Sequence, residues 1–162
     1  RAERATQGQP FPVLRGIEAG ILSGIGRIAG RIDGADWRVA ICHGDFHPSN
    51  LLVNGRTLTG IDTGGSGRMP VLKDIARFLM HMARRGVCPS GRMWCGVDEG
   101  MRDAFVEAFA LTEAERRLVL PFFVGIEALI RVETPALRPR RIRIAERVYA
   151  ALRDDLATRD LT

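Results

Sequence analysis

At 162 residues, with 46% apolar but only 6% aromatic residues, the chain is long enough for one domain around an aliphatic core. No apolar run approaches the ~20 residues that cross a bilayer, and the first ten residues lack a signal-peptide pattern. We therefore expect a cytoplasmic protein without a membrane partner. In that compartment Cys42, Cys88 and Cys95 are expected to be reduced. The net charge of +5 comes almost wholly from arginine, which we attribute to the base composition of the gene rather than to nucleic-acid binding.

Residues 1–10 are polar and are predicted to be a linker, followed by one domain over residues 11–162. Residues 13–32 repeat apolar side chains at close to a helical period, although five internal glycines weaken the prediction of a regular helix. Residues 38–42 have the pattern of a short buried strand.

Residues 51–61 predict a β-hairpin, since Asn54-Gly55 is the pair favoured at the centre of a type I′ turn. The glycine-rich stretch over residues 63–70 is expected to be a loop. An amphipathic helix with Ile75 and Leu79 on its apolar face is predicted over residues 73–85, with Gly86 as its C-cap.

The remaining chain predicts helices over residues 98–111, 112–132 and 140–156. Thr112-x-x-Glu115 is a capping box, and Pro121 and Gly125 are expected to kink the helix that follows it. The predicted fold class is therefore mainly α (α+β): a helical bundle behind a small β-hairpin.

A polar loop lies between the first strand and the hairpin, with the sequence HGDFHPSN over residues 43–50. The hairpin brings its last residue, Asn50, near Asp62, and this pair of oxygen donors suits Mg²⁺. Asp45 would stand close by, free to orient a hydroxyl. A catalytic aspartate, an asparagine five residues later and a second metal-binding aspartate form the phosphoryl-transfer layout of protein kinases.

The stretches HGDFHPSNLLV and GIDTGGSGRMPVLKDIARFL resemble the aminoglycoside phosphotransferase/choline kinase-like family, which shares the protein-kinase fold. The family's catalytic loop, H-G-D-x-H-x-x-N, is matched at each fixed position, and an Ile-Asp pair follows at Ile61 and Asp62. The resemblance covers roughly residues 39–79. It implies a kinase-like C-terminal lobe in which the hairpin carries the catalytic loop.

The resemblance implies transfer of the γ-phosphoryl of ATP to a hydroxyl of a small molecule. Asp45 is then the catalytic base, and Asn50 and Asp62 are the Mg²⁺ ligands. His47 occupies the place of a protein-kinase lysine that contacts the transferred phosphate.

The remaining roles implied by the resemblance concern nucleotide binding and support. Leu52 would form the floor of the adenine pocket with Ile61 beside it. Asp74 would hydrogen-bond the backbone of the catalytic loop, and His43 would be structural. Considered alone, Asp74 is instead predicted to cap its helix.

Two features favour a small-molecule acceptor over a protein acceptor. Gly44 stands where protein kinases carry an arginine that often pairs with a phosphorylated activation loop, and only 11 residues separate Asp62 from Asp74. The chain also departs from the family, since Thr63 replaces a common aromatic residue and the stretch from Gly67 to Asp74 is two residues longer than usual.

Nothing before Val39 resembles the glycine-rich loop and strand lysine that bind ATP in kinases. We therefore expect this chain to be a C-terminal lobe with little activity alone, whose exposed cleft floor favours self-association. A basic stretch over residues 138–143 makes a polycationic acceptor less attractive, although Asp98, Glu99, Asp103 and Glu107 are available to supply negative charge.

Three alternatives stay open from the residues themselves. A non-catalytic kinase-like module would bind a partner through its helices. A zinc or iron hydrolase would use His43, Asp45 and His47, if alternate residues of a strand face one way. Asp45 and Asn50 would be turn formers if no chemistry occurs here.

Overall fold

The computed structural model describes residues 7–130 and 138–158. Most of this part is helical, and three small antiparallel strand pairs lie among the helices, which confirms the expected mainly helical α+β class. In chain order the elements are α1 (Pro12–Ile32), β1 (Val39–Cys42), β2 (Leu51–Asn54), β3 (Thr57–Gly60), β4 (Gly67–Pro70), α2 (Val71–Ala83), β5 (Met93–Trp94), β6 (Val97–Asp98), α3 (Glu99–Ala108), α4 (Leu120–Leu129) and α5 (Pro139–Thr158).

The core is aliphatic and lies between α1, α2, α4 and α5. Helix α2 packs against α4, and α1 packs against both α4 and α5. Despite its glycines, α1 is regular, because a buried aliphatic row runs along it from Leu14 to Ile32. Gly24 allows close packing, since a Cβ there would lie 2.8 Å from the Leu156 side chain.

The predicted linker falls partly outside the described residues, which begin at residue 7. Gln9 is fully buried and donates a hydrogen bond from Nε2 to Glu18 Oε1 at 2.6 Å. The chain is therefore attached to α1 from Gln9 onward.

Two general expectations concern the membrane and the cysteines. Within residues 7–130 and 138–158, every helix is too short or too polar to cross a bilayer. Cys42, Cys88 and Cys95 are all free thiols.

The first strand differs from its prediction. β1 pairs with β4, so the second half of the stretch predicted to be a glycine-rich loop is a strand. The prediction of a buried strand is also wrong, because Ile41 is 78% exposed. β1 and β4 form a sheet of only two strands within the described residues, and β1 stays largely exposed in it.

The hairpin of β2 and β3 is confirmed, but its turn is of another type. Asn54 pairs with Thr57, so Gly55 and Arg56 are the two loop residues. Only Gly55 has a positive φ, +57°. This is the φ pattern of a type II′ turn, which places glycine first, rather than of the expected type I′ turn.

Helices α2 and α3 differ from their predictions mainly at their ends. α2 begins at Val71, two residues early, and Gly86 follows it with φ +76°. Asp98 is the N-cap of α3, accepting a hydrogen bond from Met101 N at 2.8 Å. α3 ends three residues early, where Ala110 turns the chain with φ +45°.

The capping box before α4 is confirmed, since Thr112 N–H donates to Glu115 Oε2 and Glu115 N–H donates to Thr112 Oγ1. The expected kinks are not both present. A π-helical turn at Glu115–Val119 precedes Pro121, whereas Gly125 lies within the continuous helix α4. A Cβ at Gly125 would collide with Ile25, so this glycine serves helix packing. Residues 131–132 of the predicted helix lie outside the described residues.

Candidate active site

The loop between β1 and β2 is supported by Asp74 of α2. The backbone N–H of His43 donates to Asp74 Oδ2 at 2.7 Å, and that of Gly44 donates to Asp74 Oδ1 at 3.1 Å. Asp74 is 8% exposed and lies in the first turn of α2, whose N-cap is Pro70 without a side-chain bond. The prediction that Asp74 caps its helix is therefore wrong, and its carboxylate holds the loop instead.

Gly44 lies where no other residue fits. Its φ is +85°, in the region that favours glycine, and a Cβ would collide with the backbone carbonyl of Gly65. Gly65 belongs to the short 3-10 turn at Thr63–Gly65. Glycine therefore lets the loop after β1 pack directly on the turn after Asp62.

His43 connects the loop to the hairpin. Its ring nitrogen Nε2 lies 2.8 Å from the carbonyl oxygen of Ile61, and its own carbonyl accepts a hydrogen bond from Ser66 Oγ at 3.3 Å. The residue thus bridges the catalytic loop and the segment that carries Asp62.

The Asp45 carboxylate is held between two side chains. Arg77 Nε donates to Oδ1 at 2.7 Å, and His47 Nε2 lies 3.3 Å from Oδ2. The Asp45 side chain is 41% exposed, whereas that of Arg77 is 10% exposed. The Asp45 side chain is therefore partly open to solvent while a nearly buried guanidinium fixes its orientation.

His47 stacks on His81 of α2, with ring centroids 4.3 Å apart and planes 8° from parallel. We did not expect Arg77 or His81 at the site. Asp74, Arg77 and His81 are spaced by three and then four residues, which places them on one face of α2. This polar stripe is visible in the sequence. The helix was predicted from its apolar face, and its polar face was not considered as part of the site.

Asn50 and Asp62 lie at the ends of the paired strands. The backbone N–H of Ile61 donates to the Asn50 carbonyl at 2.9 Å, which continues the hairpin pairing. Asn50 Nδ2 donates to the Asp45 carbonyl at 3.0 Å, so its amide oxygen is left as an acceptor.

Asp62 is exposed and lies in the left-handed region with φ +58°, a conformation that aspartate adopts more readily than most residues. Its side chain caps no helix. Two oxygen donors on adjacent backbone segments, one amide and one carboxylate, fit a hard cation such as Mg²⁺.

Leu52 and Ile61 are diagonal neighbours on one face of the hairpin, as its register shows. Leu52 is 54% exposed and Ile61 is 37% exposed. Asn50 directly precedes β2, as the last residue of a 3-10 turn at Pro48–Asn50, and its carbonyl accepts the hydrogen bond from Ile61 N–H. An open apolar surface therefore lies beside the predicted metal ligands.

Aromatic side chains anchor the loop from the helical side. The Phe46 ring lies 5.4 Å from that of Phe78, which in turn lies 5.3 Å from Phe105 of α3. A mostly apolar cavity of about 290 Å³ adjoins Phe46, Phe105 and Asp74. Asp45, Asn50 and Asp62 do not line this cavity, so it lies behind the loop rather than at the reactive carboxylate.

The metal-hydrolase alternative fails on geometry. β1 ends at Cys42, so residues 43–47 do not alternate as a strand would. The His43 ring faces Ile61, whereas the His47 ring stacks on His81. In the part of the chain that the structure describes, no three His, Cys, Asp or Glu side chains are grouped as a metal site.

Comparison with known proteins adds to this geometry. The sequence model of the Phosphotransferase enzyme family (APH) matches residues 27–122, more than half of the chain. The chain belongs to this family. The resemblance drawn from the catalytic loop is thereby confirmed, and the matched range contains β1, the hairpin, α2 and α3. No curated protein and no solved structure matches the chain.

Membership in the Phosphotransferase enzyme family implies a kinase-like fold and an enzyme of the kinase class. Kinases of this family generally use ATP and Mg²⁺ with a small-molecule substrate. The matched range includes the six polar residues that the sequence predicts for the candidate site, which are His43, Asp45, His47, Asn50, Asp62 and Asp74.

Proposed function

We propose that this protein transfers the γ-phosphoryl group of ATP to a hydroxyl of a small molecule, with Asp45 as the catalytic base. The observation that carries the proposal is the Asp45 carboxylate, which is partly exposed yet fixed by Arg77 at 2.7 Å. A base must be held in one orientation and still reach its substrate, and this arrangement meets both needs.

Asp45 would accept or orient the acceptor hydroxyl through its partly exposed carboxylate. Arg77 would prevent the carboxylate from rotating, through the hydrogen bond from its Nε to Oδ1. His47, 3.3 Å from the same carboxylate and only 12% exposed, would present one edge of its ring to the transferred phosphate. Asp74 would hold the loop in place through the N–H groups of His43 and Gly44.

Asn50 and Asp62 would hold Mg²⁺ through the amide oxygen and the carboxylate. When bound, the ion would neutralise charge on the phosphates of ATP. Leu52 and Ile61 would contact the adenine, since they form an exposed apolar surface at the end of the hairpin where Asn50 bonds to Ile61.

The charges around α3 favour a neutral or anionic acceptor over a polycation. Asp98 is buried in a helix cap, and Glu99 and Asp103 both pair with Arg102. Most of the negative charge that a polycation would need is therefore already used by the protein's own cations.

We also propose that residues 11–162 correspond to the C-terminal lobe of the kinase-like fold. The order of loop, hairpin and central helix supports this assignment. A C-terminal lobe alone is then expected to transfer phosphate slowly.

The first test is the variant Asp45→Asn in an ATP-dependent phosphorylation assay on a panel of hydroxyl compounds. We expect turnover to disappear while the melting temperature stays near that of the wild type. Asp36→Asn, which changes an exposed carboxylate before β1, is the matched control and should retain turnover. Full turnover by Asp45→Asn would rule out Asp45 as the base.

The second test separates an enzyme from a non-catalytic binding module. Mn²⁺, titrated in place of Mg²⁺, should broaden the amide resonances around Asn50 and Asp62, and Asp62→Asn should abolish this effect. Absence of broadening in the wild type, with or without ATP, would favour the binding module.

A further inference from the structure

Three arginines on one face of α5 line a cavity at the far end of α2. The exposed side chains of Arg140, Arg143 and Arg147 border a space of about 440 Å³ that is open to solvent, together with Gly86 and Ile144. Their spacing of three and four residues places the three guanidinium groups side by side. We call this space the arginine cavity. It lies beyond the C-terminal end of the helix that carries Asp74 and Arg77, and none of the candidate active-site residues lines it.

The charge of the arginine cavity is not neutralised by the described part of the protein. Arg140, Arg143 and Arg147 form no ion pair or hydrogen bond there, whereas the surface arginines Arg92, Arg117 and Arg153 each pair with an acidic side chain. Burial, and after it repulsion from neighbouring arginines of which Arg141 is the strongest, lowers the pKa of the Arg85 guanidinium. Cations are therefore crowded at this end of the molecule.

The first of these arginines, Arg140, also opposes ordinary helix electrostatics, because it lies in the first turn of α5. α5 begins at Pro139 and has no acidic residue in its first turn. The N-terminus of a helix carries partial positive charge, so cations there destabilise it and anions stabilise it. The base composition of the gene explains why arginine is abundant. It does not explain why several arginines line one cavity near the N-terminus of a helix, where cations are unfavourable. Such local conflicts are expected where a ligand compensates for them.

We propose that the arginine cavity binds a small anion that carries phosphate groups. Guanidinium groups match phosphate oxygens with paired N–H donors, and three of them suit more than one phosphate. The cavity volume lies within the range of small-molecule pockets. Nucleic acid fits less well, because no aromatic side chain lines the cavity for base stacking.

The test is calorimetric titration of the full chain with inorganic pyrophosphate, without divalent metal so that the candidate active site does not contribute. The double variant Arg140→Gln/Arg143→Gln should bind about 100-fold more weakly, roughly tenfold for each charge-assisted hydrogen bond that is removed. The control Arg116→Gln/Arg117→Gln removes the same charge from two exposed positions before α4 and should bind like the wild type. If the double variant does not fold, Arg147→Gln alone provides the comparison.

Each result decides the proposal. Selective loss of affinity in the cavity variant supports it. An equal loss in the control would mean general charge attraction and would overturn it, as would a wild type that does not bind millimolar pyrophosphate. A single-stranded oligonucleotide that binds more tightly than pyrophosphate, and through the same arginines, would replace the small anion with nucleic acid.

Discussion

Arg77 donates a hydrogen bond from Nε to Oδ1 of Asp45 at 2.7 Å, across 32 residues of sequence. The Arg77 side chain is nearly buried, whereas the carboxylate it holds is partly exposed. Arg77 lies one helical turn after Asp74, which holds the backbone of the same loop. Helix α2 therefore fixes both the main chain and the reactive side chain of the candidate catalytic loop.

Replacing Arg77 should lower kcat without weakening nucleotide binding. Arg77→Gln should decrease kcat by about 100-fold, because a misdirected carboxylate loses its reactive geometry. The KM for ATP should stay unchanged, since Arg77 does not lie at the hairpin surface beside Leu52. Steady-state kinetics with both substrates would measure this separation, and Arg77→Lys should recover part of kcat.

Lys73→Gln is the matched control for Arg77→Gln. It removes one cation from the same helix, and Lys73 Nζ donates a hydrogen bond to the sulfur of Met69 at 3.7 Å. Its kcat should equal that of the wild type. A rise in KM for ATP with an unchanged kcat in Arg77→Gln would show that Arg77 does not position Asp45.

Gly44→Ala should destabilise the protein by about 3 kcal/mol, because alanine is strained at φ +85° and its Cβ would collide with the Gly65 carbonyl. Urea unfolding, followed by circular dichroism, measures the change. Gly64→Ala is the control in the neighbouring turn, where a Cβ meets no atom within 4 Å. Its stability should stay within about 1 kcal/mol of the wild type. Equal effects of the two substitutions would contradict the close approach of Gly44 to Gly65.

The candidate site was predictable from the sequence where its residues lie within one local motif. Asp45, Asn50 and Asp62 lie on a loop and the hairpin that follows it, so their order and spacing already indicate the chemistry. Arg77 and His81 were missed because their partners are set by how α2 packs against that loop. The sequence of the loop does not indicate which residues of α2 will pack against it.

The exposure of β1 was missed for a related reason. Val39 and Ile41 have the apolar character of a buried strand, but burial depends on which elements cover the strand. The pairing of β1 with β4 was equally hidden, because the residues from Gly67 to Pro70 have the local composition of a loop. Helices, by contrast, were predicted within a few residues, since their apolar period is a local property.

Asp98 links the pH dependence of stability to the support of the site. Burial alone would raise the pKa of its carboxyl, but hydrogen bonds from Ser90 Oγ and from the N–H groups of Met101 and Ser90 lower it to about 2. A carboxyl with a lowered pKa in the folded state stabilises the protein above the pKa of the unfolded state. That stability is lost as the pH falls from about 4 towards about 2.

Asp98→Asn should therefore reduce the free energy of unfolding at pH 7 by about 2 kcal/mol and make stability less sensitive to pH below about 4. Urea titrations at a series of pH values between neutrality and strong acid would measure both effects. Asp154→Asn removes an exposed carboxylate that pairs with Arg153 at the surface, and it should keep the pH dependence of the wild type. Parallel curves for Asp98→Asn and the wild type would contradict the role of Asp98. Because Asp98 caps α3, whose Phe105 packs on Phe78, its loss should also loosen the aromatic support behind the catalytic loop.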